Sequence, residues 1–516
     1  MTNDLARWQF ATTSIYHFLF VPVTIGLAFL VALLQTAWYR NQKVGGEAGA
    51  GAGGSQYKRV TRFFGTLLLI NVAVGVVTGL VQEFEFGMNW SSYSRFVGDV
   101  FGGPLAMEGL AAFFLESTFL GLWIFGWDRL PKRVHLACIW LVAAGSMLSA
   151  MFILAANSWM QHPVGYVLNK HGQPELNNVW ALFTNPTFLW GYVHVILASL
   201  VTGSLVMLAI SAWHLRVRNR ALQGGAAGAS PTSALQGDGP TSAAATGTRR
   251  DQGETSASSN AEAFHHTARL SVLVLLPAIL LQMFVGNKLG EIENTYQPAK
   301  IAAAEAQWSN CQPCSFSAFQ IGGGNNDQTP TQVISIPHLL SVLATGTWNG
   351  AVIGLNQLQK EDEKKYGPGN YIPDVFIQYW SMRVMAYLGS LIALLALWGA
   401  WLIHKGRLDR SKWFLRAGLA AVVTPFIMNT AGWLLTESGR QPWIVQGLMK
   451  TINANSPSVS STDIWISLMA FVLIYAALGA ADLILMLRYS RKDLDPDDGR
   501  DGTSPDAHAP TPAMSY

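Results

Sequence analysis

Long apolar runs alternate with short polar connections along this chain, and the runs share one length. A helix needs about 20 apolar residues to cross the hydrocarbon core of a bilayer. Nine stretches meet that measure, at about 14–38, 63–82, 105–127, 134–156, 187–213, 268–286, 376–403, 415–436 and 463–488. The first lacks the short apolar region and small-residue cleavage site of a signal peptide, so it counts as a span. The pattern predicts an all-α fold, a polytopic membrane protein of about nine transmembrane helices.

Basic residues fall in every second connection. Arg40, Lys43, Lys58, Arg59 and Arg62 follow span one, and Arg129, Lys132 and Arg133 follow span three. Arg216, Arg218 and Arg220 follow span five; Lys405, Arg407, Arg410 and Lys412 follow span seven; Arg488, Arg491 and Lys492 follow span nine. The alternate connections carry few positive charges. The positive-inside rule then predicts an N-terminus outside and a C-terminus in the cytoplasm.

The expected organisation follows. Residues 1–220 hold helices one to five, 263–286 hold helix six and 376–490 hold helices seven to nine. Residues 221–262, rich in Gly, Ala, Ser and Thr, read as a low-complexity cytoplasmic linker. The tail 491–516 is acidic at first, then Pro- and Ala-rich, and is expected to be disordered. The external segment 287–375 contains WNG, YGPGNYIP and QPAKIAAAEAQW, which predict ordered turns and a short helix. Long loops of that kind are usually functional.

Composition agrees with a membrane. Half of the 516 residues are apolar and 13% are charged, against about 25% charged in soluble proteins. The net charge of +3 is too small to indicate a partner. Three cysteines exclude a disulfide scaffold. Cys138 lies in an apolar run and reads as a small hydrophobe. Cys311 and Cys314 form CQPC in the external segment, where a disulfide is favoured over free thiols; zinc would need two further ligands.

Ionisable groups at membrane depth are costly, so each is a functional candidate. Of eleven histidines, only His17 and His194 sit well inside spans. Span three carries Glu108 and Glu116, eight residues apart, which an ideal helix places roughly 80° from one another. Arg383 and Met385 open span seven, and Glu437 and Arg440 end span eight. Under the predicted orientation all lie towards the outer face. Taken singly, each has a structural explanation: an interhelical hydrogen bond, an interfacial ion pair, a core Met. Together they suggest a shared partner, and a haem fits, since its iron takes His and Met axially and its propionates need Arg. Two intramembrane histidines cannot build a bis-histidine cytochrome b, nor the copper centre of a haem-copper oxidase. A transporter using the same charges would more often show internal repeats and broken helices, which are absent here.

The motifs then match one family in order. RWQFATTSIYHFLFVPVTIG contains Arg7 and His17; GGPLAMEGLAAFFLEST contains Glu108, Glu116 and Ser117; AANSWMQHPVG contains Asn157. GYVHV contains His194, QPAKIAAAEAQW contains Lys300 and Glu305, YWSMRVM contains Arg383 and Met385, and GWLLTESGRQPW contains Trp433, Glu437 and Arg440. The chain resembles subunit I of cytochrome bd quinol oxidases, with an external loop of the shorter kind. The resemblance implies a low-spin haem b held by His194 and Met385. It implies two high-spin haems held by His17 and Glu437, with haem d preferred at His17 and haem b at Glu437. Lys300 and Glu305 look like the quinol-oxidising pair, flanking a ring. Glu108, Glu116, Ser117 and Asn157 look like proton path and haem surroundings, Arg383 and Arg440 like propionate partners, and Arg7 and Trp433 like further contacts. The implied activity is oxidation of ubiquinol or menaquinol outside, reduction of O2 to water and proton uptake from the cytoplasm, which together build a proton motive force. The implied setting is the bacterial cytoplasmic membrane. The implied partners are a second membrane subunit and small single-span subunits, with no nucleic acid.

Overall fold

The computed structural model describes residues 2–44, 52–228 and 243–495. Its elements begin with α1 (Thr2–Val44), α2 (Ala52–Met88) and α3 (Ser91–Met107), which passes through a π turn (Glu108–Phe113) into α4 (Phe114–Phe125). After α5 (Lys132–Gln161) come a short hairpin of β1 (Tyr166–Leu168) and β2 (Pro174–Leu176), then α6 (Val179–Thr184), α7 (Pro186–Gly228) and α8 (Ala243–Tyr296). A long connection follows, with α9 (Pro298–Ala304), β3 (Phe316–Ile321), β4 (Thr331–Ile336), α10 (Leu339–Thr345) and α11 (Leu355–Tyr366). The chain ends through α12 (Val375–His404), α13 (Lys412–Ala420), α14 (Thr424–Gly439), the strands β5 (Trp443–Val445) and β6 (Met449–Lys450), and α15 (Ser461–Ser490).

Among the described residues, nine helical segments are long and apolar enough to span a membrane. All but the third, which stops at Phe125, overrun the apolar runs at both ends, because a helix continues through flanking polar residues once its core is nucleated. The sixth span thus runs Ser259–Tyr296 rather than 268–286. Of the stretch read as a linker, 221–228 and 243–262 are helical, and 229–242 lie outside the described residues. So does the tail beyond residue 495.

Hydrogen bonds sort the connections onto two faces. On the basic face, Arg59 reaches the Asp495 carbonyl at 2.6 Å, His214 the Ser490 carbonyl at 2.8 Å and Asn219 the Asp409 carbonyl at 2.8 Å. On the other, Asn3 meets Asn455 at 3.0 Å, Tyr93 N meets Ala454 O at 3.0 Å, and Gln297 meets Gln161 O at 2.6 Å. This second face carries the long connection and is called the loop face below.

The main apolar core fills the basic half, where Val23 to Leu34 of α1, Phe64 and Leu67 of α2, Leu205 and Leu208 of α7 and Leu275 of α8 are buried together. There α1 and α7 cross at backbone contact. A Cβ on Gly26 would lie 2.2 Å from the Ser199 carbonyl, and one on Gly203 2.5 Å from the Gly26 carbonyl carbon. Close crossing over small residues is how helices associate where no hydrophobic force separates them from lipid. The segment Ser91–Phe125 and α15 have only 11% and 6% of their apolar windows buried, so they lie at the periphery.

The loop on the second face is folded. Strands β3 and β4 form an antiparallel hairpin pairing Phe316 with Ile336 and Gln320 with Gln332. A disulfide joins Cys311 and Cys314, and Cys311 exchanges two backbone hydrogen bonds with Val352, at 3.2 and 3.1 Å. The predicted short helix is α9, begun by Pro298 at its first turn.

Candidate active site

Three of the expected axial ligands stand opposite glycines. A Cβ on Gly79 would lie 3.1 Å from Cε1 of His17, one on Gly286 3.3 Å from Cε1 of His194, and one on Gly432 3.2 Å from Sδ of Met385. His17 Nδ1 is 2.9 Å from Thr78 Oγ1, which fixes the ring and leaves Nε2 directed elsewhere. His194 Nε2 is 2.9 Å from Gln282 Nε2, and its Nδ1 is buried with no hydrogen-bond partner. Phe18, next to His17, packs edge-on against Trp433 at 5.1 Å, bringing spans one and eight together at this depth.

Glu437 ends α14 and is held from two sides. Asn157 donates to its Oε1 at 3.0 Å, and Arg440 donates to Oε2. Arg440 also donates to the Ile444 carbonyl at 2.9 Å, so the turn after α14 closes on itself.

Glu108 and Glu116 are better aligned than an ideal helix allows. The π turn between them absorbs one residue, so eight positions act as about seven and the side chains separate by roughly 20°, not 80°. Both face α5: Ser149 donates to Glu108 at 2.7 Å, and a Cβ on Gly145 would lie 3.1 Å from Cβ of Glu116. Ser117 is exposed and bonds weakly to the Phe114 carbonyl at 3.4 Å, and Arg7 is exposed on the loop face.

The pair expected to flank a ring is instead divided. Lys300 and Glu305 are both buried, but they turn to different partners. Lys300 Nζ donates to Glu293 at 3.0 Å and to Gln161 at 2.9 Å. Glu305 pairs with Arg383 at 2.7 Å, a guanidinium that also donates to the carbonyls of Ala304 and Ser317 and lies 3.9 Å over the Tyr379 ring. Burial pushes the Glu305 carboxyl above its ordinary range, against the pull of Arg383. The physical reason for the split is position: Lys300 lies inside α9, whereas Glu305 caps its C-terminus and faces α12. Only Lys300 reaches the cavity of about 230 Å³ between α9, α11 and residues 439–446, walled by Tyr296, Tyr366, Tyr371, Arg440 and Trp443.

This arrangement agrees with what sequence comparison finds. The family model for cytochrome bd terminal oxidase subunit I matches residues 5–238 and 241–494. The chain belongs to that family. It is 41% identical over 498 residues to cytochrome bd ubiquinol oxidase subunit 1 of Bacillus subtilis (strain 168), covering 96% of this chain and 95% of the relative. It is 35% identical to cytochrome bd-II ubiquinol oxidase subunit 1 of Escherichia coli (strain K12), covering 95% and 96%. The bd oxidase structure from Geobacillus thermodenitrificans superposes with a TM-score of 0.75 at 26% identity, covering 95% of this chain and 98% of that one.

The residues present suit the haem that a cytochrome bd subunit requires. The unpartnered His194 Nδ1, the Thr78-oriented His17 ring and the three facing glycines are what axial ligands beside a bulky planar group need. Several residues of this oxidase subunit escaped the sequence reading. Thr78, Gln282 and Ser149 touch His17, His194 and Glu108, side chains already singled out. Glu293 lies past the apolar run. Gln161 sits four residues from Asn157, one helical turn, and that spacing was the available signal. Glu85, buried in α2 and hydrogen-bonded by Thr13 at 2.7 Å, also lies past its apolar run, whereas Asp482 in α15 was visible simply as an acid within a span.

Proposed function

We propose that this chain is the haem-bearing catalytic subunit of a terminal oxidase that takes electrons from a quinol at the loop face and reduces O2 to water. As a member of its family it is a quinol:oxygen oxidoreductase. The observation that carries the detailed reading is the set of glycines facing His17, His194 and Met385. His194 and Met385 would hold the low-spin haem b, His17 the haem d and Glu437 the high-spin haem b. The haems supply one-electron transfer and oxygen reduction when bound.

The remaining steps belong to the protein. The 230 Å³ cavity receives the quinol headgroup between Tyr371, Tyr366 and Trp443, with the Lys300 ammonium steadying the developing anion. Glu305, buried on the other side of α9, accepts a proton as its carboxylate, the ionised form that Arg383 holds until then. Arg440 and Trp433 complete the surroundings of the Glu437 pocket. Glu108, Glu116, Ser117 and Asn157 hold and pass protons arriving from the opposite face. With basic connections cytoplasmic, that separation of proton uptake from quinol oxidation generates a proton motive force across the bacterial cytoplasmic membrane. The apolar, outward-facing span Ser91–Phe125 and α15 offer surface to a second membrane subunit, to small single-span subunits or to lipid.

A reduced-minus-oxidised visible spectrum of the purified complex tests the reading. A far-red chlorin band beside b-type bands is expected; a colourless complex with full subunit content would sink it.

A further inference from the structure

Four elements of the loop face are joined by one unbroken file of side-chain hydrogen bonds. Lys300 Nζ donates to Gln161 Oε1 at 2.9 Å, Gln161 Nε2 to Asn157 Oδ1 at 2.8 Å, and Asn157 Nδ2 to Glu437 Oε1 at 3.0 Å. Glu293 holds the Lys300 end at 3.0 Å, and Arg440 holds the far oxygen of Glu437. The Lys300 side chain is fully buried and Gln161 is 6% exposed, so little water competes at the Lys300 end, while Asn157 is half-buried and the Glu437 side chain is 32% exposed.

The sense of every bond is fixed by chemistry. An ammonium can only donate, so Gln161 must offer Lys300 its carbonyl oxygen. A carboxylate can only accept, so Asn157 must offer Glu437 its amide nitrogen. The middle bond then has one possible direction. Both amide dipoles therefore point their positive ends from Lys300 towards Glu437, and each bond polarises the next. Neither amide has a proton to release and replace as a hydroxyl or carboxylic acid does. The file carries polarisation, not protons.

Local structure explains why Gln161 can stand at the centre. It is the last residue of α5, where backbone carbonyls lack helical partners. Those of Met160 and Gln161 are taken by Gln446 N at 2.9 Å and Gln297 Nε2 at 2.6 Å, which dock the loop onto the helix end. The Lys300 stem passes over Gly439, where a Cβ would come within 2.6 Å of its Cγ.

We infer that Gln161 is a positioning residue that couples the Lys300 ammonium, in the quinol cavity, to the electron-donating strength of Glu437. The inference rests on the reading of Glu437 as an iron ligand and of Lys300 as a quinol contact. Each donated hydrogen bond draws charge off the carboxylate. Breaking the file leaves Glu437 a stronger donor, which favours the oxidised iron and lowers the midpoint potential at that site.

The test is a reductive titration of the haem-loaded complex, following the high-spin b-type absorption in wild type, Gln161→Leu, Lys300→Met and the double variant. Each single change should lower the reduction equilibrium constant by at least about twofold, the lower end of couplings within one network. The double variant should shift it no further than one single. Gln161→Met, neutral and of similar length, likewise removes both the acceptor for Lys300 and the donor to Asn157; it should shift the constant like Gln161→Leu, and serves if the leucine variant does not assemble. Unshifted potentials, or shifts that add in the double variant, overturn the coupling. Glu437→Ala is the separate control: retention of all haems there would overturn the ligand reading itself, whatever Gln161 does.

Discussion

Two histidines, in opposite halves of the protein, have opposite surroundings. In the basic half, His135 closes a ring of contacts: Nδ1 meets Gln35 Nε2 at 2.8 Å, Nε2 meets the Trp123 carbonyl at 2.8 Å, and Trp123 Nε1 donates back to Gln35 Oε1 at 2.6 Å. Every polar atom of the ring is satisfied and no carboxylate or ammonium belongs to it. In the loop half, His194 has an unpartnered nitrogen, and Glu305, Arg440 and Gln378 each bury an unpartnered atom as well. Leaving a buried polar atom without a hydrogen bond costs about 1–3 kcal/mol. A protein that satisfies His135 completely has no difficulty making closed networks. Gln56 and Ser204 in the basic half also bury an unpartnered atom, so an open atom marks a site only where a second feature stands beside it, as Gly286 does at His194.

The comparison breaks most sharply at His194. The variant His194→Ala should lose the low-spin haem signal and all quinol oxidation while the complex still assembles. Quinol turnover with an intact low-spin spectrum in that variant would place His194 with His135, as a structural residue. Next in size is Glu305→Gln. Burial raises the Glu305 carboxyl, so its proton is retained at pH values where an ordinary carboxylate has lost it. The ionised form needed to accept a quinol proton grows as pH rises through that raised value, so kcat/KM should climb with pH in wild type. Glu305→Gln should lower kcat/KM by about 10²–10⁴-fold, the usual worth of general-base catalysis, and flatten the profile. An unchanged pH profile in the variant would remove Glu305 from the proton chemistry.

The sequence disclosed these halves unequally. The spans were legible because apolar length is a local property, and nine runs became nine spanning segments among the described residues. The family was legible because its motifs occur in order along the chain, and His17, His194 and Glu437 stood out as candidates because polar groups at membrane depth are few. What was illegible depended on contacts between distant segments. Nothing in KIAAAE says that Lys300 turns to Gln161, 139 positions earlier, while Glu305 turns to Arg383, 78 positions later. The π turn that aligns Glu108 with Glu116 has no signature in EGLAAF, so ideal helical geometry put them in the wrong relation. Closed networks are equally hidden: Gln35, His135 and Trp123 sit on three helices, and only packing brings them together.

The smallest expected effect tests the closed half. In Gln35→Leu the Trp123 Nε1–H loses its acceptor and His135 Nδ1 its neighbour, and both atoms are buried where water does not reach. Each loss costs about 1–3 kcal/mol, partly offset by the apolar leucine, which suits the surrounding Leu34, Ile139 and Val142. The outcome should be a lower thermal midpoint of the complex with the haem spectrum, quinol KM and midpoint potentials of wild type. That combination separates the two halves, since any variant of the Lys300–Glu437 file should move the potentials. If Gln35→Leu moved a haem potential instead, polarisation would extend through the apolar core. The closed ring around His135 would then be part of the same electrostatic system as the Lys300–Glu437 file, joined to it through α5, which carries both His135 and Gln161.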